Sequence, residues 1–113
     1  MDKVVHFEIP FDNKTRAMKF YSAMFGWKLT DMPQMDYVMA ESSPVDKNQM
    51  PTEPGGINGG LFPRPKEAPH PAIYVGVASI DQALKKVEGA GGKVVTRIAD
   101  TEGNIIGLFQ RGQ

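Results

Sequence analysis

The feature that most constrains the fold is an internal repeat. "HFEIPFDNKTRAMKFYSAMFGW" starts at His6 and passes its post-helix glycine at Gly26; "AIYVGVASIDQALKKVEGAGG" starts at Ala72 and ends on Gly92. Both intervals are 20 positions, and the two starts lie 66 residues apart. Each segment reads strand, short loop, helix, glycine, strand. A period used only twice predicts two similar halves packed together, since a solenoid needs at least about three copies.

Within the first half, Val5, Phe7 and Ile9 alternate with Val4, His6 and Glu8, so residues 4–9 read as a strand with one apolar and one mixed face. Pro10 is expected to stop that strand, and Asp12 or Asn13 to cap a helix over Lys14–Phe25. Ala17, Phe20, Tyr21, Met24 and Phe25 recur at helical spacing, and Gly26 suits the C-terminal cap. Residues 27–31 and 35–41 read as strands around a turn at Pro33. A polar loop over 42–58 leads to a short strand near Gly60-Leu61-Phe62. The connector from Pro63 to Pro71 has four prolines among nine residues and reads as stiff and exposed. In the second half, Ala72–Val77 reads as a strand. Ser79 and Gln82 form a capping box, and Ile80, Ala83, Leu84 and Val87 form the buried stripe of the helix it opens. Lys93–Thr96 and Ile105–Gln110 read as further strands, the latter after the turn signal "DTEGN". The expected architecture is α+β: one domain of two βαβββ-like units, about 1–65 and 66–113, with helices on the outer face of curved mixed sheets.

Composition narrows the function. Thirteen basic and thirteen acidic residues give zero formal net charge with no block of either sign, so a nucleic-acid partner has no electrostatic support. No run approaches the roughly 20 apolar residues that span a bilayer, and "MDKVVHFEIP" lacks a signal peptide's apolar region. A cytoplasmic protein without membrane contact is expected. The absence of cysteine removes disulfides, thiolate metal sites and a cysteine nucleophile. The glycines of "EPGGINGG" lack a phosphate loop's lysine and are read as permitting close backbone approach. The seven methionines are read mostly as core residues. His70, between prolines in "APHPA", reads as a solvated connector residue.

These residues resemble the vicinal oxygen chelate superfamily, which contains glyoxalase I, extradiol dioxygenases and the bleomycin-resistance proteins. The resemblance lies in Phe20-Tyr21 and Phe25-Gly26-Trp27 of the first unit, in "YVGVASIDQALKKVEGAGGKVV", and in "DTEGNIIGLFQ". It implies paired βαβββ units. One departure stands out: only Lys93–Ala99 separates Gly92 from Asp100, where two five-residue strands and a turn need roughly twelve residues. Either a shortened second unit that lacks a strand or a sequence missing a segment here is expected.

The resemblance also implies four metal-ligand positions. His6 falls on the first, but Ala72, Gly107 and the Gly59-Gly60 pair fall on the others and offer no donor. A divalent ion needs several hard or imidazole donors, so no metal and no other cofactor is expected. What remains is a small organic ligand bound in a sheet-lined cleft of a protein expected to form a homodimer, contacted by His6, Glu8, Phe62, Tyr74 and Phe109, with Ile105 on the same side. His6 and Glu8 either meet that ligand or face solvent at the cleft mouth; the aromatic residues either line the cleft or pack in a core or homodimer interface. Two alternatives stay open: a metal-dependent lyase, isomerase or dioxygenase using His6, and sequestration of a drug or metabolite without chemistry. Whether the chain is an enzyme is undecided by its residues.

Overall fold

The computed structural model describes residues 1–95 and 97–110. Eight strands and two α-helices make an α+β fold: β1 (Lys3–Phe11), α1 (Lys14–Phe25), β2 (Lys28–Met32), β3 (Tyr37–Glu41), β4 (Asn58–Pro63), β5 (Ala72–Val77), α2 (Ile80–Val87), β6 (Lys93–Val94), β7 (Ile98–Ala99) and β8 (Ile105–Gln110). The chain divides into two compact units, His6–Pro71 and Met1–Val5 with Ala72–Gln113.

In the unit spanning His6–Pro71, the strand order is β2-β3-β4-β1, with β1 parallel to β4 and the other pairings antiparallel. The register sets Glu8 opposite Gly60 and Gly60 opposite Met39. Residues two apart share a face, so His6, Glu8, Asn58, Gly60, Phe62, Tyr37 and Met39 lie on one side of this sheet. The opposite side carries the core: Phe11, Val38 and Leu61, packed by Ile9, Ala17, Met18, Tyr21 and Leu29. Val38 and Leu61 are fully buried, each burial contributing about 1.5–3 kcal/mol. Asn13 caps α1 by accepting from the Arg16 amide at 2.9 Å, and Gly26 ends it at φ 70° with its amide on the Ser22 carbonyl. Lys14 ties α1 to β2 through Asp31 at 3.1 Å. The connector is held by Arg64, whose guanidinium pairs with Asp12 at 2.8 Å and donates to the Pro69 carbonyl. That guanidinium holds the exposed Asp12 carboxyl below its usual range.

The second unit repeats this topology. β5 runs parallel to β8, β8 antiparallel to β7, and β7 antiparallel to β6. Tyr74 sits opposite Gly107 as Glu8 sits opposite Gly60, so Gly60 and Gly107 are equivalent positions. The Ser79 hydroxyl accepts from the Gln82 amide at 3.2 Å, and the Gln110 side chain accepts from the Ile80 amide at 3.0 Å. Val87 is buried in the stripe of α2.

Four expectations need correction. β1 continues through Pro10 to Phe11. Phe11 presents its carbonyl to the Arg64 amide on the β4 side, so the missing N–H of Pro10 falls on the side away from β4, where no β4 bond is lost. The second unit keeps both short strands: β6 and β7 pair as a hairpin of two residues each, within which the expected strand end Thr96 lies outside the described residues. The strands are shortened rather than missing. On α1, Ala17 and Tyr21 of the expected apolar set pack on the core, joined by Met18, but Phe20, Met24 and Phe25 are 54%, 60% and 56% exposed. Phe20 and Phe25 spend their apolar surface in a ring cluster with Tyr21 and Trp27, Tyr21 stacking on Trp27 at 5.2 Å. Of the seven methionines, Met1, Met24, Met35, Met39 and Met50 are exposed, so they do not serve as core.

Candidate functional site

β1, β3 and β4 together build a polar group on the face of the first unit's sheet opposite its core. The His6 ring nitrogen Nε2 lies 3.0 Å from the Tyr37 hydroxyl and 3.4 Å from Glu8 Oε2. The second contact is an ion pair whenever the ring is protonated. His6 and Glu8 are neighbours because alternation sets both on one face of β1; Tyr37 reaches them from β3, across the narrow span of β4. His6 and Glu8 keep side-chain exposures of 25% and 14%, so the group is open to a small solute yet partly dried.

Glycine makes that arrangement possible. A Cβ at Gly60 would collide with the Tyr37 ring and hydroxyl, so the ring lies in the space a side chain at position 60 would take. Gly59 does the same on the opposite face for the Phe7 ring. At the equivalent position of the second unit, a Cβ at Gly107 would collide with the Tyr74 ring, and the Arg97 guanidinium stands 5.6 Å from that ring's centroid. Asn58, one strand residue before the glycines, accepts from the Ser42 and Ser43 amides at 2.8 Å each and so fixes the end of the 42–58 loop beside β4.

The residues expected from sequence fall into two sets. His6, Glu8 and Phe62 share one face of the first unit's sheet, by the pairings of β1 with β4. Tyr74 and Phe109 share a face of the second unit, Tyr74 opposite Gly107 of β8 and Phe109 opposite Gly76 of β5; Phe109 is 53% exposed. Tyr37 escaped the sequence reading. Its signals were the alternation of Tyr37, Met39 and Glu41 against buried Val38 and Ala40, and a glycine on a neighbouring strand with room for a ring.

The residues present do not fit the metal that the resemblance implies. Positions 60 and 107 carry no donor and their side-chain space is filled by tyrosine rings; Ala72 has no donor either. Among the described residues, no three of His, Cys, Asp and Glu converge as a metal would require.

Comparison with known proteins fits this architecture. Residues 3–43 match the family described as bleomycin resistance protein-like N-terminal. A glyoxylase-like domain-containing protein of Didymella fabae is 31% identical over 121 aligned positions, covering 92% of this chain and 90% of the relative. Among solved structures, a hypothetical protein of Bacillus halodurans superposes with a TM-score of 0.62 at 17% identity, over 99% of this chain and 96% of that one. Methylmalonyl-CoA epimerase of Mycobacterium tuberculosis gives 0.62 at 14% identity, over 97% and 88%. A glyoxalase/bleomycin resistance protein/dioxygenase superfamily member of Vibrio splendidus gives 0.61 at 12%, over 97% and 98%. At these identities the solved structures share the fold, while the Didymella sequence shares the family. The chain belongs to the glyoxylase-like domain family.

Proposed function

We propose that this chain binds a small organic molecule on the sheet face of its first unit opposite the core, at His6, Glu8, Tyr37 and Phe62, and does so without a divalent metal. The observation that carries the reading is the tyrosine seated on Gly60: the ring takes the space of a fourth-strand ligand and its hydroxyl engages the one histidine that stands on a ligand position. The face then offers a ligand a polar patch of His6, Glu8 and Tyr37 beside apolar surface from Phe62 and Met39, the mixture typical of small-molecule sites. Tyr74 and Phe109 are proposed as the aromatic contacts of the second unit's own face. Zero net charge supports a small molecule over nucleic acid as the partner.

A thermal-shift screen of small organic molecules, run in excess chelator on the wild type, His6→Ala and Glu8→Gln, tests this reading. A ligand at about 100 times its Kd stabilises the native state by about 2.7 kcal/mol. Stabilisation that survives the chelator and is lost in His6→Ala supports the reading. Stabilisation that appears only with added divalent metal contradicts it, and so does a ligand indifferent to both substitutions. Following the same ligand for conversion separates sequestration from catalysis: stoichiometric binding without turnover marks the former.

A further inference from the structure

The second unit carries a cavity that the proposed site does not use. Seven residues, Lys93–Ala99, close the sheet beside α2, where the first unit uses fourteen, Lys28–Glu41. In the first unit those longer strands supply Leu29 and Val38, which close the core over Ala17, Met18 and Tyr21 of α1. In the second unit β6 and β7 are two residues each, and a trough of about 350 Å³ lies between the end of the helix, the β7–β8 turn and β8. Its walls are aliphatic: Ala83, Val87 and Ala90 from the helix side, Ile98 and Leu108 from the strands. Gly92 cannot be enlarged to fill it, because a Cβ there would press on the Ala99 carbonyl and the Val87 side chain.

The polar rim is Lys86, Asp100 and Thr101. Two of these are spent on the turn itself. Asp100 accepts from the Glu102 and Asn104 amides at 2.8 and 2.9 Å and from the Asn104 side chain at 3.1 Å, and the Thr101 hydroxyl donates to Glu102 at 3.0 Å. The helix end is also satisfied: the Lys86, Val87 and Glu88 carbonyls accept from the Ala90, Gly92 and Gly91 amides, which blunts the negative end of the helix. Lys86 is left as the rim charge that a ligand can meet.

We infer that this trough is a second binding site, whose ligand is an aliphatic carboxylate of medium chain length: the chain lies along Ala83, Val87, Ile98 and Leu108, and the carboxylate pairs with Lys86. The volume is in the range of small-ligand pockets, the lining residues include no aromatic ring, and Lys86, the one cation among those lining residues, selects an anionic head. Each methylene taken from water contributes about 0.8 kcal/mol, so affinity rises with chain length until the trough is full.

Titration of the full chain with decanoate below its micellar concentration, followed by amide chemical shifts, tests the inference, with decanol as the neutral control. Expected are saturable shifts confined to residues 83–92 and 98–108, a Kd about tenfold weaker for Lys86→Gln, and no saturation for Ala83→Phe, which fills the trough. Lys86→Gln alters a surface group only, so it keeps the test valid if Ala83→Phe folds poorly. Decanol binding as tightly as decanoate overturns the assignment of ligand class. Absence of saturable shifts overturns the site itself, including the case in which another copy of the chain already fills the trough. His6→Ala leaves decanoate binding unchanged, so failure here and failure of the proposed site are separable.

Discussion

At the scale of single residues, Gly60 is the position on which the site depends. It has no side chain of its own; it makes room for one from a neighbouring strand. The Tyr37 ring lies where its Cβ would be, and the hydroxyl reaches His6 because of that seat. Gly60→Ala is therefore expected to cost about 1–3 kcal/mol, as overpacking does, in urea unfolding. Tyr37→Ala combined with Gly60→Ala removes the collision, so the double variant is expected to be more stable than the sum of the single losses allows. Equal and additive losses would show that the ring and the glycine do not compete for one space. His6 and Glu8 were legible as a same-face pair, because alternation along one strand is local. Tyr37 was not, because its meeting with His6 spans 31 residues of chain and depends on the register of β3 against β4.

At the scale of elements, what could be read from sequence is what is held by local chemistry. Asn13 before α1, Ser79 before α2 and Gly26 after α1 all act as their residue types suggest. Asn13→Ala is expected to cost about 1 kcal/mol, the usual loss for such a cap, measured by the urea midpoint. β6 was read, within Lys93–Thr96, but β7 was illegible because a two-residue strand has no period to detect; it exists through its pairing to β6 and β8. The apolar set of α1 was read in part: Ala17 and Tyr21 pack inward, while Phe20 and Phe25 satisfy helical spacing yet find ring partners on the surface. The β7–β8 turn carries a titration of its own. Hydrogen bonds from the Asn104 amide, the Asn104 side chain and the Glu102 amide hold the Asp100 carboxyl below its ordinary value of 3.8. A depressed folded-state pKa adds stability above the unfolded value and loses it as pH falls through the folded one. The stability difference between wild type and Asp100→Ala is thus expected at neutral pH and expected to shrink in acid below that value. Carboxyl NMR of Asn104→Ala should show the Asp100 pKa moving back up; an unchanged value would remove the side-chain donor from the explanation.

At the scale of the whole molecule, the repeat inferred from two equal intervals is present as two units of identical strand topology. That symmetry is what makes Gly60 and Gly107 comparable, and both are covered by a tyrosine. A shared fold does not carry the site with it, so what these two tyrosine-covered glycines do is a matter of the side chains around them. No helix among the described residues is long and apolar enough to cross a membrane. The most direct measurement is the metal content of protein purified without chelators, compared with His6→Ala. A tyrosine-filled site predicts well below one divalent metal per chain, with the same value in both proteins. One metal per wild-type chain, lost in His6→Ala, would contradict it.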